Sequence, residues 1–194
     1  AILKQDRKNL EKKDASVGEV RAALMRLSST QDPVALEQAL ARVADPSPEI
    51  RGAVAFAVGR YLDPKAEEAI KKLLSDSVAD VRRDAIRGAG SRADDSRRAL
   101  LEGLRSKKDM TPAERVALWE VLLKWDVQGK LKGEAASELL GMVKSPDPMV
   151  RAQALGVLVS KMRDDGRVVG LLKDQFQHGA QPSDRVMALH HLVS

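Results

Sequence analysis

Six arginines stand at positions 21, 51, 82, 115, 151 and 185, separated by 30, 31, 33, 36 and 34 residues. A period of this length, held along the chain, is the mark of stacked supersecondary units rather than one closed core. Each arginine sits in the same local frame. Ser47-Pro48-Glu49-Ile50-Arg51, Thr111-Pro112-Ala113-Glu114-Arg115, Asp147-Pro148-Met149-Val150-Arg151 and Gln181-Pro182-Ser183-Asp184-Arg185 align directly. Val17-Gly18-Glu19-Val20-Arg21 and Val78-Ala79-Asp80-Val81-Arg82 are copies without the proline.

An apolar pattern travels with the arginine. Leu24, Val54, Ala85, Leu118, Ala154 and Ala188 follow it by three residues; Val58, Ala89, Leu122, Leu158 and Leu192 follow by seven, with Ser28 as the exception. The residue before it is Val20, Ile50, Val81 or Val150, a position that Glu114 and Asp184 break. Those offsets share one face of a helix. All eight prolines (33, 46, 48, 64, 112, 146, 148 and 182) fall between periodic segments, where a missing N–H costs nothing at a helix start. Ser47, Thr111 and Asp147 read as N-caps, and Asp32-Pro33 and Asp63-Pro64 open a second helix per repeat.

The expected elements are an opening helix over 2–13, then two series. The A helices cover 16–29, 48–62, 79–91, 111–125, 148–163 and 182–193. The B helices cover 33–44, 65–75, 94–106, 130–143 and 166–177. No segment alternates with period two, so no sheet is expected. Only 3% of residues are aromatic, which suits a core of aliphatic side chains between closely packed helices.

The stretch Asp45-Pro46-Ser47-Pro48-Glu49-Ile50-Arg51, continued by Gly59-Arg60-Tyr61-Leu62-Asp63-Pro64 and Ile70-Lys71-Lys72-Leu73-Leu74, resembles the short HEAT-like repeat. This variant is also called the phycobilisome-lyase HEAT-like repeat. The resemblance implies an all-α fold, a right-handed α-α superhelix of paired antiparallel helices. It also implies a ladder of Asp and Arg between neighbouring repeats. The arginines would be Arg21, Arg51, Arg82, Arg115, Arg151 and Arg185. Asp45, Asp76 and Asp109, each six residues before a repeat arginine, match the acid, whereas Ala15, Ser145 and Gly179 replace it. The name of the repeat describes a fold and carries no lyase activity with it. Because an isolated helix pair buries little, stacking supplies the core, and the B helices line a concave surface. The chain opens on a B-like helix and closes on an A helix, so the array is expected to be either part of a longer solenoid or closed by atypical caps.

Several functions are argued down by the residues. Cysteine is absent, which excludes disulfides, thiolate metal sites and cysteine nucleophiles. It leaves open whether the chain works in the cytoplasm or is exported after loss of a leader. The longest apolar run, Ala53 to Val58, is far short of the roughly 20 residues a membrane span needs. HEAT-like deoxyhypusine hydroxylases hold iron on His-Glu pairs, but none of His178, His190 and His191 precedes a Glu. Neither G-x-S-x-G nor a phosphate loop occurs. The net charge is +5, and some alkylpurine DNA glycosylases use HEAT-like repeats with basic concave faces. Here the charges of the five B segments cancel, and a phosphate track needs cations in a row. Trp119, Trp125 and Asp126 invite a reading as base-stacking rings with a catalytic acid. Trp119 aligns with Ala55, Ile86 and Leu155, however, which makes it a core filler.

The reading that remains is one domain over residues 1–194 with five to six repeats, monomeric and non-enzymatic, without cofactor or metal. Its expected partner is a protein or peptide, held on the concave face. The residues expected to meet it are Glu37, Arg42, Glu67, Glu68, Lys71, Lys72, Arg98, Glu102, Arg105, Glu134, Glu138 and Lys173. The alternative is a nucleic-acid binder related to the alkylpurine DNA glycosylases.

Overall fold

The computed structural model describes residues 2–12, 15–178, 185, 186, 188 and 190. Every regular element among them is helical: α1 (Ile2–Glu11), α2 (Val17–Ser28), α3 (Pro33–Leu40), α4 (Pro48–Val58), α5 (Pro64–Leu73), α6 (Ala79–Ala89), α7 (Asp95–Gly103), α8 (Pro112–Trp125), α9 (Lys132–Met142), α10 (Pro148–Met162) and α11 (Gly166–His178). One 3₁₀ turn, Leu104–Ser106, extends α7. The fold is an all-α solenoid. The helices divide into two compact units, Ala1–Leu122 and Leu123–Ser194.

The helix starts follow from local chemistry. Ser16 and Glu19 form a reciprocal capping box at α2. Asp32, Ser47, Asp63 and Asp147 each cap a helix that begins with proline. Thr111 and Glu114 cap α8: the Glu114 N–H donates to Thr111 Oγ1 at 3.3 Å, and the Thr111 N–H donates to Glu114 Oε2 at 2.7 Å. At α6 the cap residue is Val78, and Asp76 Oδ1 accepts its N–H instead, at 2.9 Å.

Some helix ends fall short of the periodicity. α4 stops at Val58 rather than running to 62, because Arg60 and Tyr61 tighten into three-residue bonds to Ala57 and Val58. The Tyr61 hydroxyl then reaches back to the carbonyls of Asp32 and Leu27 at 3.3 and 3.4 Å. α3 ends at Leu40 for a similar reason, with Arg42 and Val43 bonding three residues back. The helix expected over 182–193 lies largely outside the described residues.

In the first unit α2, α4 and α6 pack side by side as A helices, and α3 and α5 pair as B helices. Val20, Leu24, Leu27, Val54, Val58, Ile70, Leu73, Val81, Ile86, Leu101, Leu118, Trp119 and Leu122 are buried. α4 and α6 approach backbone to backbone. A Cβ on Gly59 would overlap the carbonyl of Gly88, and one on Gly88 would overlap that of Ala55. In the second unit α10 packs on α9 and α11, over Ala135, Leu139, Val150, Leu158, Val168 and Leu172.

Candidate functional site

Two rows of charged side chains run through the first unit, and they do different work. The A-helix row is the ladder. Arg51 donates Nε and Nη2 to the two oxygens of Asp76 at 2.8 and 2.9 Å, and its Nη1 to the carbonyl of Asp45 at 2.8 Å. Arg82 repeats the pattern one repeat on, with Nη1 on the carbonyl of Asp76 at 2.7 Å. Its carboxylate, however, is Glu114, at 2.7 and 3.2 Å. Asp109 is exposed and pairs with Lys107 at 3.9 Å, and it acts on Arg82 as a charge without forming an ion pair with it. The third rung is therefore Arg82–Glu114 and not Arg82–Asp109. Asp109 stays in the loop before α8, and Glu114 is carried to the rung by the helix it caps.

The end rungs also differ from the simple pattern. Arg21 is exposed, and Asp45, 8% exposed, pairs with Arg42 at 3.2 Å while its Oδ1 accepts the Ser47 N–H. Arg115 donates to the carbonyls of Arg105 and Lys107 at 2.7 and 2.9 Å. In the second unit Arg151 reaches the carbonyls of Ser145 and Pro146 at 2.8 and 2.9 Å, and Arg185 is exposed.

These pairs shift the acids. The Arg51 fork holds the Asp76 carboxyl below its ordinary range; partial burial opposes this and the Val78 N–H adds to it. For Glu114 burial alone would raise the value, but Arg82 and Thr111 together overcome it and the net shift is downward.

The second row lies on the B helices, where the expected partner-binding residues were placed. Lys65 on α5 meets Glu37 on α3 at 2.5 Å, both exposed. Glu67 accepts from Arg97 Nε at 2.6 Å and from Ser96 Oγ at 2.8 Å, both on α7. Arg97 is 1% exposed and also donates to the carbonyl of Gly59 at 3.2 Å. Burial would raise the Glu67 carboxyl, yet Arg97 and Ser96 pull it lower on balance. Glu67 thus holds α7 on α5 and is half-buried. Arg105 is half-buried with its guanidinium 5.7 Å from the ring centre of Trp119. By contrast Glu68, Lys71, Lys72, Arg98 and Glu102 are exposed. Among the described residues, no ion pair reaches any of these five. On α9 Glu134 is exposed and Glu138 half-buried; on α11 Lys173 is exposed.

Glu114 and Arg97 carried signals that the periodic reading passed over. Glu114 puts an acid at an apolar position three residues after a capping threonine. Arg97 stands one turn before the buried Leu101, on the apolar stripe of α7. Neither tryptophan is available for stacking, since Trp119 and Trp125 are 0% and 7% exposed. Asp126 spends its carboxylate on the N–H groups of Lys130 and Leu131, at 3.0 and 2.6 Å. Among the described residues no group of three His, Cys, Asp or Glu stands close enough to hold a metal ion, and no helix is long and apolar enough to cross a membrane. His191 lies outside them.

No curated protein matches the chain. Residues 33–119 match the family model described as HEAT repeats, which does not single out the lyase-type variant. That stretch carries the Arg51–Asp76 and Arg82–Glu114 rungs and the α4–α6 contact, and residues 33–119 are HEAT repeats.

Proposed function

We propose that the chain is a non-enzymatic scaffold that binds a protein or peptide on the outward face of its B helices. HEAT repeats commonly mediate protein interactions. The observation that carries the reading to a particular surface is the unspent charge on α5 and α7. Glu37, Glu67 and Arg97 are engaged between helices, while Glu68, Lys71, Lys72, Arg98 and Glu102 stay exposed and form no ion pair among the described residues. Exposed mixed charge of this kind suits the polar rim of a protein interface. It suits a polyphosphate less well, because Glu68 and Glu102 interrupt the cations.

The test is affinity capture from a lysate of the source organism, with and without nuclease. The wild-type chain is compared with a triple variant, Glu68→Lys, Lys71→Glu and Lys72→Glu. Glu67 stays intact so that α7 keeps its anchor. A protein retained after nuclease and lost in the folded triple variant supports the scaffold. Captured material that disappears with nuclease overturns it in favour of nucleic acid.

A further inference from the structure

The described side chains of α1 join the repeats mainly by charge. Asp6, 2% exposed, receives Nε and Nη2 of Arg26 on α2 at 2.8 and 2.5 Å. Arg7 pairs with Asp32, whose other carboxylate oxygen caps α3 through the Val34 N–H at 2.9 Å. Gln38 of α3 donates to Glu11 at 2.8 Å. Among the α1 residues whose side chains are described, Leu10 is the buried hydrocarbon. The joints from α2 through α4 to α6 add to the shielded Arg51–Asp76 pair a broad layer of aliphatic side chains and the close approach at Gly59 and Gly88.

The two kinds of joint respond differently to salt. Nearly half of the Arg26 side chain and two fifths of the Arg7 side chain are in solvent. Screening reaches such groups, because the Debye length falls from about 10 Å at 0.1 M salt to about 3 Å at 1 M. Burial of hydrocarbon is not weakened in this way. An element with little buried hydrocarbon opens before the core does.

We propose that α1 is a charge-held latch that opens as a unit while the repeats stay folded, uncovering the flank of α2 opposite α4. The latch goes beyond the scaffold reading and does not depend on it. Hydrogen exchange on the intact chain tests it, at about 0.05 M and about 1 M NaCl. The α1 amides are expected to exchange at least roughly ten-fold faster than those of α4 and α6 in low salt. A further acceleration of about three-fold is expected in high salt, confined to α1. Arg26→Gln should produce the faster exchange already in low salt, whereas Lys8→Ala, on the exposed side of α1, should not. Exchange of α1 in step with α4 and α6 overturns the latch. So does an α1 rate that neither salt nor Arg26→Gln changes.

Discussion

At Gly88 a single hydrogen decides how closely two helices lie. A methyl group there would overlap the Ala55 carbonyl, which belongs to rigid backbone and cannot swing aside. Gly88→Ala should therefore cost about 1–3 kcal/mol, the usual range for overpacking. Gly103→Ala is the control: its Cβ meets nothing within 4 Å, so relief of glycine entropy should stabilise by about 0.5–1 kcal/mol. Urea midpoints at unchanged slope measure both; equal and opposite signs are not required, but a stable Gly88→Ala protein would refute the backbone contact. The same contrast applies to the rung acids. Glu114→Ala should cost about 3 kcal/mol, because it leaves the Arg82 fork unpaired against a buried joint. Asp109→Ala should stay within about 0.5 kcal/mol.

Among elements, α7 is tied to the rest by a buried polar contact. Its buried Arg97 is held by Glu67, so Glu67→Ala should destabilise by about 3 kcal/mol. Its neighbour tests the assignment: Glu68→Ala, at an exposed site, should shift the thermal midpoint very little. If both behaved as silent surface changes, the anchoring role of Glu67 would be wrong. Helix starts were legible in the sequence because Asp32, Ser47, Asp63 and Asp147 act within two or three residues of themselves. Helix ends were less so, since where α4 stops depends on Tyr61 reaching the carbonyls of Leu27 and Asp32, some thirty residues away. The ladder was legible at Asp76, where the six-residue spacing marks the acid that the Arg51 fork holds. It was misread at Asp109, where the spacing also holds, because Glu114 on the first turn of α8 takes the Arg82 fork instead. The division of the B-face charges into engaged and unspent residues could not be read from composition, which counts Glu67 and Glu68 alike.

At the scale of the molecule, three joints of the first unit include carboxylates whose ionisation is favoured by folding. Arg26 holds Asp6 low and Arg51 holds Asp76 low; at Glu114 the Arg82 and Thr111 bonds outweigh burial. A depressed folded pKa contributes stability that is fully present above the unfolded value, about 4. That contribution is lost as the pH falls through the folded value. Stability should accordingly be flat from neutrality down to about pH 5 and then fall steeply. Glu114→Gln, already weaker at neutral pH, should fall less steeply in acid. An identical acid limb in the two proteins would show that this rung does not set the acid response.

The third rung has a consequence for how the chain can be altered. Since Glu114 rides on the helix that Thr111 caps, the span between Lys107 and Thr111 does not have to keep a set number of residues for Arg82 to find its acid. At the second rung the acid, Asp76, lies in the connecting turn itself, and an added residue there would carry it off. Residues spliced in between Lys108 and Asp109, both in solvent, should leave the molecule intact, which makes this the point at which a foreign loop or a reporter can be grafted.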